Sequence, residues 1–266
     1  MADDSVVEIQ RDGEIATVRL NRPGRYNTFN VELVEGLKES MFDVALDDDV
    51  RAVILTGNGK AFCAGGDLQS ITEASPDHPS HGFHRLAGVF HEAIVEIRTM
   101  AKAVVAAVNG LAVGGGFSLA VACDFRVLST DAYLKVGYTS NGLTMDGGGS
   151  FSLPRLVGLG QATELALLDD KVGPQKAVDI GLAHRAVEPD KLMDRSRELA
   201  GRLADMPTET LGRTKRLLNR SFDNSLEQQL ETERREIAAA ADSPDGREGV
   251  DAFLNKREPD YRQGDE

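Results

Sequence analysis

Val104-Val105-Ala106-Ala107-Val108 runs directly into Asn109-Gly110-Leu111-Ala112-Val113-Gly114-Gly115-Gly116, an unbroken apolar run followed by a turn of small residues. Earlier in the chain, Ala52-Val53-Ile54-Leu55 precedes Phe62-Cys63-Ala64-Gly65-Gly66-Asp67-Leu68 in the same way. Short runs of this kind read as buried strands, and each turn then feeds toward a helix. Glycine places no side chain between a ligand and the backbone, so its N–H groups can be approached closely. Two such groups aimed at one point form an oxyanion hole, which stabilises negative charge developing on a carbonyl oxygen. Tight turning alone would account for either glycine run; the two together, in this order, point to the hole.

Outward from these turns the pattern is alternately strand and helix. Ile15-Ala16-Thr17-Val18-Arg19-Leu20 alternates like a half-buried strand, ended by Asn21-Arg22-Pro23-Gly24. Asn30 can cap a helix whose Leu33, Val34, Leu37, Met41 and Val44 share one face, closed by Asp47-Asp48-Asp49. Strand, helix and strand therefore precede the first turn, the rhythm of an α/β unit. Residues 69–82 are polar and rich in Pro, Ser and His, and are expected to form a surface loop. A helix is predicted over roughly Phe83–Met100, and a short buried one from Gly115. Phe125-Arg126-Val127-Leu128 and Tyr133-Leu134-Lys135-Val136 predict further strands. Beyond Leu153 the pattern is helical almost throughout, with Pro174, Pro189, Pro207 and Ser243 as helix starts. Residues 190–266 carry no strand signal.

The chain has 266 residues, 41% of them hydrophobic, which suits one large globular domain or a domain with a helical appendage. No repeat or low-complexity linker divides it. No apolar stretch is long enough to cross a bilayer. The acidic start, Met1-Ala2-Asp3-Asp4-Ser5, lacks the basic and apolar regions of a signal peptide. A soluble, cytoplasmic protein without membrane contact is expected. The two cysteines, Cys63 and Cys123, lie in apolar surroundings and read as core residues of a reducing compartment. A formal net charge of −13 without any Lys/Arg block excludes a nucleic-acid partner. An anionic ligand would have to be held by local cations, of which Arg22, Arg25, Lys60, Lys256 and Arg257 are the candidates.

A third small-residue turn, Gly142-Leu143-Thr144-Met145-Asp146-Gly147-Gly148-Gly149-Ser150, sets one carboxylate among apolar and small neighbours. A carboxylate beside an oxyanion hole can remove a proton alpha to a carbonyl and return it elsewhere. It can also attack as a nucleophile. The plain alternative is that Asp146 caps the following helix. Four of the five histidines lie between His78 and His91, with His78, His81 and His84 spaced by three. No cysteine or well-placed carboxylate joins them, so no metal site is expected.

With these residues in view, the chain resembles the crotonase family, the enoyl-CoA hydratase/isomerase superfamily, over nearly its whole length. The matching segments are Asn21-Arg22-Pro23 with Asn27, Phe62–Leu68, Asn109–Gly116, Gly142–Gly158 including Leu153-Pro154-Arg155-Leu156-Val157-Gly158, and Phe253-Leu254-Asn255-Lys256-Arg257-Glu258-Pro259. The resemblance implies an α/β fold with a crotonase-like ββα-spiral core over residues 1–195. It implies a helical trimerisation region over 196–266, and assembly as a homotrimer or a dimer of trimers. It further implies an acyl-CoA thioester substrate and no separate cofactor, CoA being part of the substrate. On this chain the oxyanion-hole amides become those of Gly66 and Gly115. Backbone near Arg25, Ala64, Asp67 and Leu68 would hold the CoA moiety, and Lys256 would contact a phosphate. Residues 69–90 with Ser118, Tyr138, Met145 and Phe151 would shape the acyl pocket, with His91 a further substrate-binding candidate.

Departures from the family pattern narrow the chemistry. The hydratases use two glutamates, and Ser118 and Tyr138 stand at those positions here. Hydration needs one group to activate water and another to supply a proton, so a standard two-glutamate hydratase is not expected. Asp146 matches the aspartate of several family isomerases, which shuttle a proton rather than consume one. An enoyl-CoA isomerase is therefore expected. Two alternatives remain open: a dehalogenase or thioester hydrolase with Asp146 as nucleophile, and a CoA-ester binding protein without catalysis. His91 matches the water-activating histidine of the 4-chlorobenzoyl-CoA dehalogenases, but the tryptophan those enzymes carry at the Tyr138 position is missing. Otherwise His91 is a helix residue hydrogen-bonded at the pocket's edge.

Overall fold

The computed structural model describes residues 5–262. The start Met1–Asp4, whose composition argued against a leader, lies outside the described residues. The first half of the chain runs β1 (Val7–Asp12), β2 (Ile15–Leu20), α1 (Val31–Leu46), β3 (Ala52–Gly57), β4 (Ala61–Cys63), α2 (Leu68–Glu73), α3 (Pro79–Thr99), β5 (Ala103–Val108), β6 (Leu111–Val113) and α4 (Gly115–Ala122). The second half runs β7 (Phe125–Ser129), β8 (Tyr133–Lys135), α5 (Gly149–Leu168), α6 (Pro174–Asp179), β9 (Arg185–Val187), α7 (Leu192–Ala204), α8 (Thr208–Arg220), α9 (Leu226–Asp242) and α10 (Pro244–Asn255).

Two sheets result. A six-stranded sheet has the order β1-β2-β3-β5-β7-β9, parallel except for the antiparallel β1–β2 pair. A second, smaller sheet is β4-β6-β8, all parallel. Three times the chain passes from a strand of the first sheet, through a short strand of the second, toward a helix. The small strands β4, β6 and β8 are parallel neighbours, so the segments leaving their ends emerge side by side. Each of the three glycine-rich stretches lies just beyond one of these ends. That registry brings residues 64–67, 114–116 and 137–146 to one place although they are far apart in sequence.

The strands β3 and β5 are buried along their whole length, as central strands covered on both faces must be. Every residue of α4 is buried too, so it packs as a core helix behind the second turn. The side chain of Asn30 accepts the Leu33 N–H at 3.0 Å, and α1 buries the predicted Leu33, Val34, Leu37, Met41 and Val44.

Some expectations need correction. Residues 69–82 are not a loop: α2 and the start of α3 occupy most of them. Asp67 caps α2 by accepting the Ser70 N–H at 3.2 Å, and Pro79 opens α3 at its first turn. The polar composition there reflects exposed helix faces. Strands β1, β4, β6 and β9 were not legible; three of them have only three residues, too few for alternation to show. A boundary after residue 195 would fall inside α7, whose Leu199, Ala200 and Ala204 pack under Ala52, Ile54 and Val105 of the main sheet. No helix among the described residues is long and apolar enough to cross a membrane.

Candidate active site

A cavity of about 370 Å³ opens where the three glycine-rich stretches meet. Gly65, Gly66, Gly114, Gly115, Tyr138 and Asp146 all line it. The first two turns are in contact. A Cβ on Gly65, at φ +92°, would lie 2.8 Å from the Val113 carbonyl oxygen and 3.3 Å from the Gly115 nitrogen. Only glycine combines that backbone conformation with so close an approach.

The first turn is fixed from below and from the side. Asn27 is fully buried, and its amide donates to the carbonyls of Asn58, Ala61 and Phe62 at 3.0, 2.8 and 3.2 Å. The Ala64 N–H donates to Tyr26 O, the Phe29 N–H to Gly65 O, and the Asp67 N–H to Phe29 O, at 3.0, 2.7 and 2.9 Å. The neighbouring amides are thus engaged, while the Gly66 N–H has no acceptor among the described residues. The Gly115 N–H is likewise without one. It stands in the first turn of α4, where helical geometry supplies no carbonyl. Two unengaged amides therefore line one cavity.

Asp146 is the one carboxylate among the lining residues. It is not a helix cap, because Gly148 holds the N-cap of α5 and no side chain caps that helix. Instead the Tyr138 O–H donates to Asp146 Oδ1 at 2.6 Å. Ser118 Oγ donates to the Asp146 backbone oxygen at 2.8 Å and lies 3.0 Å from the Tyr138 hydroxyl. Ser118 and Tyr138 thus form a hydrogen-bonded bracket around Asp146. Burial and the adjacent Asp146 charge push the Tyr138 phenol up from its ordinary value, so it stays a donor. Oδ1 being engaged, Oδ2 is the oxygen left for chemistry.

His91, on α3, accepts the Gly147 N–H through Nε2 at 3.1 Å. Its imidazole supports the Asp146 loop from behind and does not line the cavity. Gly147 itself could not be larger: at φ +57°, a Cβ would lie 2.3 Å from the Phe90 ring.

The remaining predicted residues divide. Ala64 and Leu68 line the cavity. Asp67 turns its carboxylate to Arg22 Nη2 at 3.1 Å as well as to Ser70. Burial alone would raise this carboxyl; the Ser70 N–H and the Arg22 guanidinium outweigh it and hold the group below its usual range. Arg25 is exposed on a 3-10 turn (Pro23–Arg25), and Lys256 is exposed at the end of α10; neither lines the cavity. Ser118, Met145 and Phe151 do not line it either. The ring of Phe151 stacks under the Arg155 guanidinium at 3.4 Å, facing away from the cavity as α5 begins. Within the 69–90 stretch expected to shape the pocket, Phe83, Leu86, Ala87 and Phe90 form its apolar wall. Their spacing of three and four on one helix was a readable signal. His84 also lines the cavity, whereas His78 and His81 stack on each other with ring centres 5.0 Å apart. Cys63, in the first turn, is fully buried, and that burial pushes its thiol up to about 12, leaving it inert.

Comparison with known proteins defines the class to which this site belongs. The family model for enoyl-CoA hydratase/isomerase matches residues 10–264, and the chain belongs to that family, whose members process acyl-CoA thioesters. It is 37% identical over 248 residues to a 1,2-epoxyphenylacetyl-CoA isomerase of Escherichia coli (strain K12), covering 93% of this chain and 94% of the relative. A 4-chlorobenzoyl coenzyme A dehalogenase-2 of Arthrobacter sp is 30% identical, covering 95% and 92%. Among solved structures, an enoyl-CoA hydratase from Polaromonas sp. JS666 superposes with a TM-score of 0.90 at 34% identity, over 96% of this chain and 99% of the other. The crotonase-type α/β fold with a helical C-terminal region is thereby established, and the protein is an acyl-CoA-processing enzyme of this superfamily. These relatives carry isomerase, dehalogenase and hydratase names alike, so the reaction has to be argued from the site.

Proposed function

We propose that the protein is an enoyl-CoA isomerase that moves a double bond by proton transfer through Asp146. The thioester carbonyl would accept hydrogen bonds from the Gly66 and Gly115 amides. Asp146 Oδ2 would take a proton from the carbon alpha to the thioester, leaving an enolate whose charge rests on the carbonyl oxygen between the two amides. The same carboxylic acid would return the proton to the gamma carbon. No proton is gained or lost overall, so a single carboxylate suffices. The observation that carries this proposal is the bracket around Asp146: at the two candidate glutamate positions, Tyr138 holds the Asp146 carboxylate and Ser118 its backbone carbonyl.

The dehalogenase-named relative favours a second reading, with Asp146 as nucleophile and His91 activating water. The His91 contact weighs against it. Nε2 is engaged by the Gly147 N–H, and the ring does not line the cavity. Exposed Leu226, Leu230 and Ile237 on α9, with Phe253 and Leu254 on α10, support the further proposal that the C-terminal helices pack on other copies in a trimer. CoA contacts from Arg25 and Lys256 would require the ligand, or a neighbouring copy, to reach those exposed positions.

The test is a set of 3-enoyl-, 2,5-dienoyl- and aryl-CoA thioesters incubated with the enzyme in deuterated water. Double-bond migration with deuterium exchange alpha to the thioester is expected. Formation of a 3-hydroxyacyl product without migration would overturn the proposal, as would solvent oxygen entering the Asp146 carboxylate.

A further inference from the structure

A second cavity, about 420 Å³, shares no lining residue with the first. It lies between the end of α3, the start of β7, α5 and α8. Its walls are largely apolar, with Val121, Leu156, Leu203, Leu211 and Leu218 among them. Into this apolar space project Arg98, Arg126, Arg155 and Lys215, against one lining carboxylate, Asp124. In a chain of net charge −13 such a concentration of cations is conspicuous.

Lys215 and Asp124 neutralise each other at 2.7 Å, and Lys215 also donates to Ile97 O. Of the three arginines, Arg155 is ion-paired with Asp223 at 3.2 Å, whereas Arg98 and Arg126 form no ion pair among the described residues. Arg126 is 1% exposed; its Nε and Nη1 hold the carbonyls of Leu182 and Cys123 at 2.8 and 2.6 Å, leaving Nη2 without an acceptor among the described residues. Arg155 donates to Phe151 O and to Asp223 at the rim, yet its buried Nε has no partner among the described residues. Arg98 engages Asn219 through Nη2 alone. His184 adds a further donor. Its Nδ1 accepts the Arg126 N–H at 3.2 Å, which leaves the ring proton on Nε2. Burial and the neighbouring guanidiniums of Arg126 and Arg185 push this imidazole down to about 4, so it is neutral at working pH. The cavity is therefore rich in donors, poor in acceptors and apolar along its length. Uncompensated buried donors and cations are costly unless an acceptor of opposite charge meets them.

We propose that this cavity is a binding site for a carboxylate carried on an apolar chain, a free aliphatic or aryl-alkyl acid. The carboxylate would sit at the Arg98–Arg126–Arg155 cluster, with the chain along Leu211 and Leu218. Guanidinium groups suit a carboxylate because their donors match its two oxygens. The site differs in kind from the first cavity, which offers neutral amides to a neutral thioester.

The experiment is calorimetric titration of the full chain with octanoate, using octan-1-ol as the uncharged control, followed by a crystal structure of the octanoate complex. Saturable octanoate binding is expected, retained in Asp146→Asn, with octanol at least about tenfold weaker, as loss of hydrogen bonds to a charged group implies. Arg155→Gln should weaken octanoate by about tenfold or more. Should that variant fail to fold, Arg98→Met reads the same loss at a side chain with a single modest contact. Equal affinity for octanol, no saturable binding, or density for octanoate only in the first cavity would each overturn the proposal. An acidic side chain of a second copy occupying the arginine cluster would overturn it too.

Discussion

The two cavities offer positive charge by opposite means. The first presents two backbone amides and no cation, beside a single carboxylate. The second presents three guanidinium groups in an apolar shell. A permanent cation attracts a permanent anion and binds it in the ground state. A pair of neutral dipoles does little for a neutral carbonyl but stabilises it increasingly as negative charge develops. Only an interaction that strengthens in the transition state accelerates a reaction. On the proposed function the first cavity would meet charge that appears during turnover; on the proposed binding site the second would meet charge already present. A guanidinium beside Asp146 would also have paired with the carboxylate and reduced its basicity.

This contrast breaks most visibly at Asp146. Asp146→Asn removes the proposed base while leaving the amides untouched, so deuterium exchange and isomerisation should fall by roughly a hundredfold to ten-thousandfold. Acyl-CoA affinity, measured by titration, should change little. Gly66→Pro removes one amide without removing any protein hydrogen bond, since the Gly66 N–H has no internal acceptor among the described residues. A loss of about a hundredfold to a thousandfold in kcat is expected, with the melting temperature checked to separate this from misfolding. If Gly66→Pro turned over normally, the neutral-dipole account of the first cavity would fail.

Tyr138→Phe sharpens the contrast at a finer level. It deletes the 2.6 Å hydrogen bond to Asp146 Oδ1, an interaction with a charged group. A fall in kcat of roughly ten- to a hundredfold with little change in KM is expected. Its pH behaviour follows from sign. Because burial and the Asp146 charge raise the phenol, it remains protonated beyond the ordinary tyrosine value near 10. Wild type and Tyr138→Phe should therefore share the same alkaline limb in a pH–rate profile up to about pH 10. A loss of activity below that pH present only in the wild type would show that Tyr138 ionises there.

The first cavity was far more legible in the sequence than the second. Glycine runs after apolar runs announce backbone approach and set Asp146 among small neighbours; the choice of Gly66 and Gly115 came from the resemblance to the crotonase family. What the sequence did not reveal was the registry of β4, β6 and β8 that brings the three stretches together, since the three-residue strands β4 and β6 leave no periodic trace. Nor did it show that Tyr138 holds the Asp146 carboxylate and Ser118 the Asp146 backbone carbonyl. Asn27 belonged to a recognisable segment, but its three carbonyl contacts depend on a turn reached from distant sequence. The arginines of the second cavity are scattered over 98, 126 and 155, on three elements. Each reads locally as an ordinary surface or helix charge, and nothing short of the fold places them together.

The smallest expected effect concerns the rigidity of the first turn rather than its chemistry. Asp67 links the turn to Arg22 at 3.1 Å and caps α2, and these contacts hold its carboxyl below the ordinary value. A depressed carboxyl contributes stability above its unfolded value, near 3.9, and loses it as pH falls through the lower folded value. Asp67→Asn keeps an oxygen that can cap the helix but removes the charge. At neutral pH the variant should melt about 1 to 3 °C below the wild type, the scale of a partly screened ion pair in a chain of this size. Below the folded carboxyl value the two melting curves should converge, because the wild-type pair has been titrated away. The amides of the first cavity carry no titratable charge, so turnover of the folded variant at neutral pH should stay within a few-fold of wild type, following the modest size of the pair. A much larger loss of kcat would mean that a full charge near the turn, and not the amide pair alone, takes part in stabilising the enolate.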